Sequence, residues 1–275
     1  MKRQEFEQAI ERESLVAVEQ FIKRSELRNW SLDDFDKEEI RKWGDKLTPD
    51  TAALIEGFMG IEAQLPTYLL EGERSLGSIE SEILFQKRWG FEEGRHEPTL
   101  GLILVESGAR TEEQIAEYNA TVLQKKWSRD AHPGIDTCLG VRIYRMFQER
   151  STYVNYRGLW GEVRDDYGLP QNLTDDERKR GSQIGAAEAI DKIAKDELGH
   201  HVVNLQLVRI HLNYFPEETE EKITQVLEGF RMPALNSLPN LRPFIHALRQ
   251  TRIYDGRIFK QQVVEPTLKA LGLAA

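Results

Sequence analysis

Two segments of this chain set a carboxylate and an imidazole three residues apart: Glu93-Gly94-Arg95-His96 and Glu197-Leu198-Gly199-His200. Each is preceded by a further acid, Glu92 or Asp196. On a helix, residues three apart lie one above the other, so each segment offers an oxygen and a nitrogen donor from one face. Two such helices facing each other could hold a pair of metal ions between them. The competing reading makes Glu93 and Glu197 solvated helix acids and the histidines their ordinary partners. Acids are 46 of the 275 residues, and there are six histidines. A glutamate three before and an acid four before would precede roughly 3% of histidines by chance, and two such cases have a probability on the order of 1%. The pair is therefore worth following to its partners.

Two more acids qualify. Glu62 lies in the largely apolar run Phe58-Met59-Gly60-Ile61-Glu62-Ala63-Gln64-Leu65-Pro66, and Glu149 lies inside Ile143-Tyr144-Arg145-Met146-Phe147-Gln148-Glu149-Arg150. A carboxylate on a core-facing helical stretch is costly unless neutralised or paired. A metal pair would neutralise both, and four carboxylates with two imidazoles make an O/N shell suited to iron or manganese rather than structural zinc. Carboxylate-bridged di-metal bundles are built this way, from one Glu on each of two helices and a Glu-x-x-His on each of two others.

The elements that must position these donors read as helices almost throughout. Thr48-Pro49-Asp50 opens a helix predicted to reach about Leu70, with a kink at Pro66. Ser78 to about Ser107 is a second long segment. Thr111 and Gln114 form a capping box for a third, ending before the turn Ala131-His132-Pro133-Gly134. Ile135 to about Trp160 is a fourth. Thr174 and Glu177 form another capping box, opening a helix to about Leu212. Shorter helices punctuated by Pro216, Pro233, Pro239 and Pro243 follow. No strand-like alternation stands out. The expected fold is an all-α bundle in one domain over 1–275, with core helices at about 48–212 and peripheral helices at about 213–275.

Composition narrows the function. A chain that is 40% hydrophobic and 30% charged can build a sizeable core, and no apolar run approaches the roughly 18–20 residues that span a bilayer. The acidic start, with no apolar h-region, argues against a targeting peptide. A single cysteine, Cys138, points to a reducing cytoplasm. A net charge of −9 argues against general nucleic-acid binding, which needs a basic surface.

Four segments resemble the soluble acyl-carrier-protein desaturases, a family that includes the plastid stearoyl enzymes and actinobacterial relatives. They are Ile61-Glu62-Ala63-Gln64-Leu65-Pro66-Thr67-Tyr68, Glu92-Glu93-Gly94-Arg95-His96, Phe147-Gln148-Glu149-Arg150-Ser151-Thr152 and Asp196-Glu197-Leu198-Gly199-His200. The likeness runs from about Trp30 to the C-terminal helices. It implies a ferritin-like homodimer with two iron ions per subunit, manganese being a possible substitute. Glu93 and Glu197 would bridge the ions. Glu62 with His96 would complete one site, and Glu149 with His200 the other. Reduced by a ferredoxin-type donor, such a site uses dioxygen to set a cis double bond in a fatty acyl chain carried on acyl carrier protein, a step of fatty acid biosynthesis. Thr152 matches a family threonine on the oxygen-binding side, its alternative being a helix threonine bonded to a backbone carbonyl. Glu92 and Asp196 would orient the opposite-helix histidines. Trp30 matches a tryptophan proposed to relay electrons, its alternative being a buried structural indole.

The chain departs from the family pattern in ways that bear on substrate. Gly199 stands where an arginine is usual, and Glu71-Gly72-Glu73-Arg74 falls beside the family's acyl channel. Arg142 and Arg145 share the helical stripe of Glu149 and Thr152, where a hydrocarbon channel would disfavour guanidinium groups. They are expected to snorkel outward, to pair with Glu71 or Glu73, or to shorten or reroute the channel. Lys125, Lys126 and Arg129, and Arg178, Lys179 and Arg180, are two basic patches for an acidic carrier protein, or else ordinary solvated faces. Two other functions stay open: a di-metal oxidase of the same bundle class acting on another substrate, and a degenerate iron-binding homologue.

Overall fold

The computed structural model describes residues 2–76, 79–128, 132, 134–175, 177, 184–251 and 253–273. Among them there is no strand. Helix α1 spans Lys2–Glu26 and α2 spans Lys37–Trp43; α3 (Pro49–Glu62) begins where expected, with the Thr48 side chain accepting from Thr51 N and Pro49 in the first turn. Every residue of α3 from Thr51 to Glu62 is buried, which identifies it as a central element.

The single helix expected to reach about Leu70 is two. Helix α3 stops at Glu62, and α4 (Leu65–Leu76) starts after a turn at Ala63 and Gln64. Proline has no N–H and its ring crowds the carbonyl four residues earlier, so Pro66 cannot close the helical bond to Glu62. The segment expected over 78–107 divides in the same way. Helix α5 (Glu80–Glu93) and α6 (His96–Glu106) meet at Gly94-Arg95, and Pro98 stands four residues after Gly94.

Helix α7 (Glu112–Val122) carries the expected capping box of Thr111 and Gln114. It ends earlier than its pattern suggested because the amide of Gln64 takes the carbonyls of Val122 (2.8 Å) and Lys125 (2.6 Å). Helix α8 runs over Cys138–Asp166, capped by Thr137. Thr174 and Glu177 exchange the predicted capping bonds at 2.7 and 3.2 Å, but the turn after them lies outside the described residues. The long helix α9 (Ala186–Tyr214) starts only after Gly185, whose φ of 53° suits a residue without Cβ. Helices α10 (Pro216–Glu228), α11 (Leu241–Thr251) and α12 (Glu265–Leu271) follow.

Helices α8 and α9 pack along each other and form the spine of the bundle; α3 packs on α6, α1 lies against α5 and α9, and α11 covers α3. Three apolar clusters result. One joins α3 and α6 to the ends of α8 and α9 through Leu54, Leu100, Leu159 and Ile190. A second joins their other ends to α10 and α12 through Phe147, Val208 and Val226. The third holds α1, α5 and α9 together through Val18, Phe85 and Leu207. No helix is long and apolar enough to cross a membrane among the described residues.

Candidate metal centre

The donors come from the ends of two broken helical pairs and the middles of the two spine helices. Glu62 ends α3, Glu93 ends α5 and His96 begins α6; Glu149 projects from α8, and Glu197 and His200 from α9. The break between Glu93 and His96 does not separate them. Gly94 and Arg95 keep right-handed φ/ψ values (−60°, −7° and −96°, −21°), so the turn tightens without changing face.

Six residues thus meet in two overlapping groups, Glu62, Glu93, His96 and Glu197, and Glu93, Glu149, Glu197 and His200, whose donor atoms lie within 4.8 Å of one another in each group. Glu93 and Glu197 belong to both. None of the six is more than 8% exposed. His96 turns Nδ1 inward, 3.2 Å from Glu93 Oε2 and 3.4 Å from Glu197 Oε1. His200 does the same, with Nδ1 3.0 Å from Glu93 Oε1 and 3.4 Å from Glu149 Oε2.

The donor set fits two metal ions. Nδ1 of His200, both ring nitrogens of His96, Oε2 of Glu149 and Oε2 of Glu197 are buried without a hydrogen-bond partner. Such orphaned atoms carry a desolvation cost that cations would offset. Without cations, protons must serve instead. Burial and the nearby Glu93 carboxylate push Glu62 up to about 8. Burial with Glu93 and Glu149 raises Glu197 well above its ordinary value. Burial works against charge on His96 and His200, but the surrounding carboxylates overcome it and raise both. Burial likewise opposes charge on Glu93, yet the two imidazoles hold it below the usual carboxylate range.

An outer ring of contacts fixes the donors. His200 Nε2 lies 2.9 Å from Glu92 Oε2, and Glu92 in turn meets Arg88 Nη2 at 3.0 Å. On the other side His96 Nε2 lies 3.6 Å from Asp196 Oδ2, which accepts from Trp30 Nε1 (2.9 Å) and Arg95 Nη2 (3.0 Å). Each motif's leading acid thus faces the other motif's histidine. With Nε2 turned to an acid, each ring would keep its Nδ1 lone pair for a metal. Trp30 is buried and parallel to His96, with ring centroids 6.3 Å apart.

Two contacts escaped the sequence reading. Tyr156 donates its hydroxyl to Glu62 at 2.5 Å, and Trp89 Nε1 donates to Glu149 at 3.1 Å. Spacing could have found both, since Tyr156 follows Glu149 by seven residues and Trp89 precedes Glu93 by four.

A narrow cavity borders the cluster at Glu62 and Glu93. Its walls include Phe58, Ile61, Ile135, Val141 and Tyr144, with the half-buried Tyr68, Trp127 and Met232 at the rim. Thr152 lines it, while its hydroxyl donates to Gln148 O at 2.9 Å. Arg142 and Arg145 neither snorkel outward nor pair with Glu71 or Glu73. They are 3% and 6% exposed and gather around Glu82 of α5: Arg142 Nε contacts Oε1, and Arg145 Nη1 lies 3.6 Å from Oε2. Sequence could not favour Glu82 over Glu71 or Glu73, because only the tertiary contact of α5 with α8 brings it there. Glu71 meets Arg74 at 2.8 Å instead, and Glu73 is exposed. Over Gly199 lies the Arg28 guanidinium, 2.5 Å from where a Cβ would stand. Of the basic patches, Lys125 and Lys126 are exposed beside Trp127, whereas Arg129, Arg178, Lys179 and Arg180 lie outside the described residues.

The family described as fatty acid desaturase matches this chain over residues 17–274. No curated protein matches it. Among solved structures, the chain is similar to a single-substitution variant of an R2-like ligand-binding oxidase with an aerobically reconstituted Mn/Fe cofactor, at 13% identity and a TM-score of 0.51, covering 94% of each chain. A second variant of that oxidase has 13% identity and a TM-score of 0.47, covering 94% of this chain and 93% of the other. At such identity the first likeness speaks for the fold, which is a ferritin-like helix bundle with peripheral helices.

Proposed function

The chain belongs to the fatty acid desaturase family, that of the acyl-carrier-protein desaturases, and from that premise we propose that it is a di-iron oxidoreductase that desaturates a fatty acyl chain borne by acyl carrier protein. The observation that carries this reading is the position of the six-donor cluster on the wall of an apolar cavity. Two iron ions held by Glu62, Glu93, His96, Glu149, Glu197 and His200 would supply, with dioxygen and external electrons, the oxidising power that no side chain has.

The chain's own residues do the rest. Glu93 and Glu197, common to both groups, would serve both ions. Glu92 holds the His200 ring, Asp196 lies 3.6 Å from the His96 ring, and Tyr156 and Trp89 hold Glu62 and Glu149, so these donors are largely preorganised. Isoleucine and aromatic side chains of the cavity keep water from the aliphatic chain. Thr152, on the cavity wall, would serve the oxygen-binding side once its hydroxyl turns from the Gln148 carbonyl to which it donates. Trp30, between Arg95 and His96, is the electron entry, for which a ferredoxin-type protein is the donor. Lys125 and Lys126, beside the rim residue Trp127, are the docking charges for an acidic carrier protein. The active form is a homodimer in the cytoplasm. Manganese fits the same donors.

The decisive test loads the protein with iron and supplies ferredoxin, reductant and acyl-carrier substrates of several chain lengths. An unsaturated product that disappears in Glu149→Ala supports the proposal. Two ions per chain without product at any length favours the second reading, a di-metal oxidase with a different substrate. The Arg145 guanidinium in the cavity wall is the observation on that side. Failure to take up two ions removes both.

A further inference from the structure

A buried guanidinium in the wall of an apolar cavity needs a reason. Arg145 lines the same cavity as Glu62 and Glu93, and it sits on α8 four residues before Glu149. One helical turn, about 6 Å along the axis, separates it from the cluster. Its partners leave it under-satisfied. Nη1 is buried without a hydrogen bond, and Nη2 makes one contact, 3.3 Å to Gln86 Oε1. Arg142 contacts Glu82 Oε1, and Glu82 Oε2, without a hydrogen bond of its own, lies 3.6 Å from Arg145 Nη1, so two guanidinium groups share one acid and one positive charge is left over. Of the other acids nearby, Glu149 belongs to the metal cluster, and two more are engaged elsewhere. Glu11 accepts from Ser81 N and Oγ at 2.8 and 2.6 Å, and Glu71 is held by Arg74 at 2.8 Å. Phe85 and Trp89 flank Arg145 with ring centroids 5.4 and 5.3 Å from its carbon. Gly72 leaves it room: a Cβ there would come 3.0 Å from Nη2.

Arginine presents a rigid fork that matches a planar carboxylate, and it stays charged when buried. The remaining walls, Ile61, Ile135, Val141 and Met232, suit methylenes. We propose that Arg145 is the anchor for a carboxylate on the aliphatic ligand of this cavity, holding that group one helical turn from the metal cluster. This deepens the function proposed above by naming a feature of its substrate, and it rests on that reading for the identity of the site. The carboxylate has two sources. It is either the head group of a free fatty acid or a second, terminal carboxylate on a carrier-borne chain.

The test measures binding rather than turnover. Palmitate and methyl palmitate are compared for displacement of a fluorescent fatty acid from the full-length protein, with and without iron. Palmitoyl and ω-carboxypalmitoyl carrier protein are compared in the same way. A charge-assisted bond of this kind gives the carboxylate member about a ten- to hundredfold preference. A preference in the first pair that is abolished in Arg145→Gln supports the anchor with a free acid. One in the second pair that is abolished in Arg145→Gln supports it with a terminal carboxylate. No preference in either pair, or one that survives Arg145→Gln, overturns it. If that variant does not fold, Gly72→Ala, whose Cβ would crowd the Gln86 amide at 2.6 Å and, at 3.0 Å, the Arg145 Nη2 that this amide holds, replaces it and carries the same expectation of a weakened preference. A preference without desaturated product leaves the anchor standing and removes the desaturase; product without a preference removes the anchor alone.

Discussion

Helix α8 carries two buried polar clusters a turn or two apart, and they solve the same electrostatic problem in opposite ways. Around Glu149, four carboxylates and two imidazoles converge with several atoms left without a partner. Around Arg142 and Arg145, two guanidinium groups meet the single carboxylate of Glu82. The first cluster has an excess of acid and suits cations from outside the chain. The second brings its own cations and carries one positive charge more than it has acids, on a residue, Arg145, that lines the cavity. Burial is nearly equal in the two, so burial does not distinguish a binding site from a structural ion pair. The sign of the unbalanced charge does, together with where the unsatisfied atoms point.

The most severe way to break this comparison is to remove a shared donor. In Glu93→Ala, metal analysis should find the pair of ions lost rather than one of them, because Glu93 belongs to both donor groups. Retention of two ions would mean that the cluster is not organised around it. The corresponding change in the self-neutralised cluster should act on the fold. Arg142→Met leaves Glu82 with only the more distant Arg145, and removing one partner of a buried pair costs about 3–5 kcal/mol, readable in denaturant unfolding. An unchanged midpoint would show that the pair is dispensable to stability.

A milder change sharpens the contrast. Glu92→Gln and Asp196→Asn keep all six donors but weaken the hold on an imidazole, and each should lower metal affinity about 10–100-fold without altering stoichiometry. Equal affinities would leave these acids no part in orienting the rings. A further contrast is expected from pH on the metal-free protein. Glu62 rises from an ordinary 4.5 to about 8, so its contribution to stability is complete below 4.5 and is lost as pH climbs to about 8. His96 and His200 are raised too and act in the same direction, from their ordinary 6.5 upward. Glu93, which is lowered, contributes above its ordinary value, and its contribution is lost only as pH falls through its depressed value. Thermal unfolding of metal-free protein should therefore show stability falling from pH 5 to 8, while metal uptake over that range releases protons and strengthens. Stability that rises over this range in the metal-free protein would contradict the assignment.

Much of this was legible in order of residues alone. The spacing of Glu93 with His96 and of Glu197 with His200 carries over from sequence to space because a helical turn is a local structure. Capping pairs such as Thr111 with Gln114 are equally local, and they mark the start of α7 correctly. The helix ends were less legible. Pro66 and Pro98 produced full breaks where one kink was expected and the other was not, since a proline can bend a helix or end it depending on what else takes up the freed carbonyls. The end of α7 was set by Gln64, 58 residues from the carbonyl of Val122 that it bonds.

Sequence by itself determined the helical class, the two Glu-x-x-His motifs and the acids Glu62 and Glu149 that stood out in apolar stretches. These depend on propensities and on period, which act within a few residues. Only the tertiary structure decided that Tyr156 and Trp89 hold two of the carboxylates, and that Glu82 rather than Glu71 or Glu73 answers Arg142. Each of these is a contact between helices distant in sequence. Such contacts are fixed by how whole faces pack, and no local pattern in the chain encodes which of several nearby acids a buried arginine will meet.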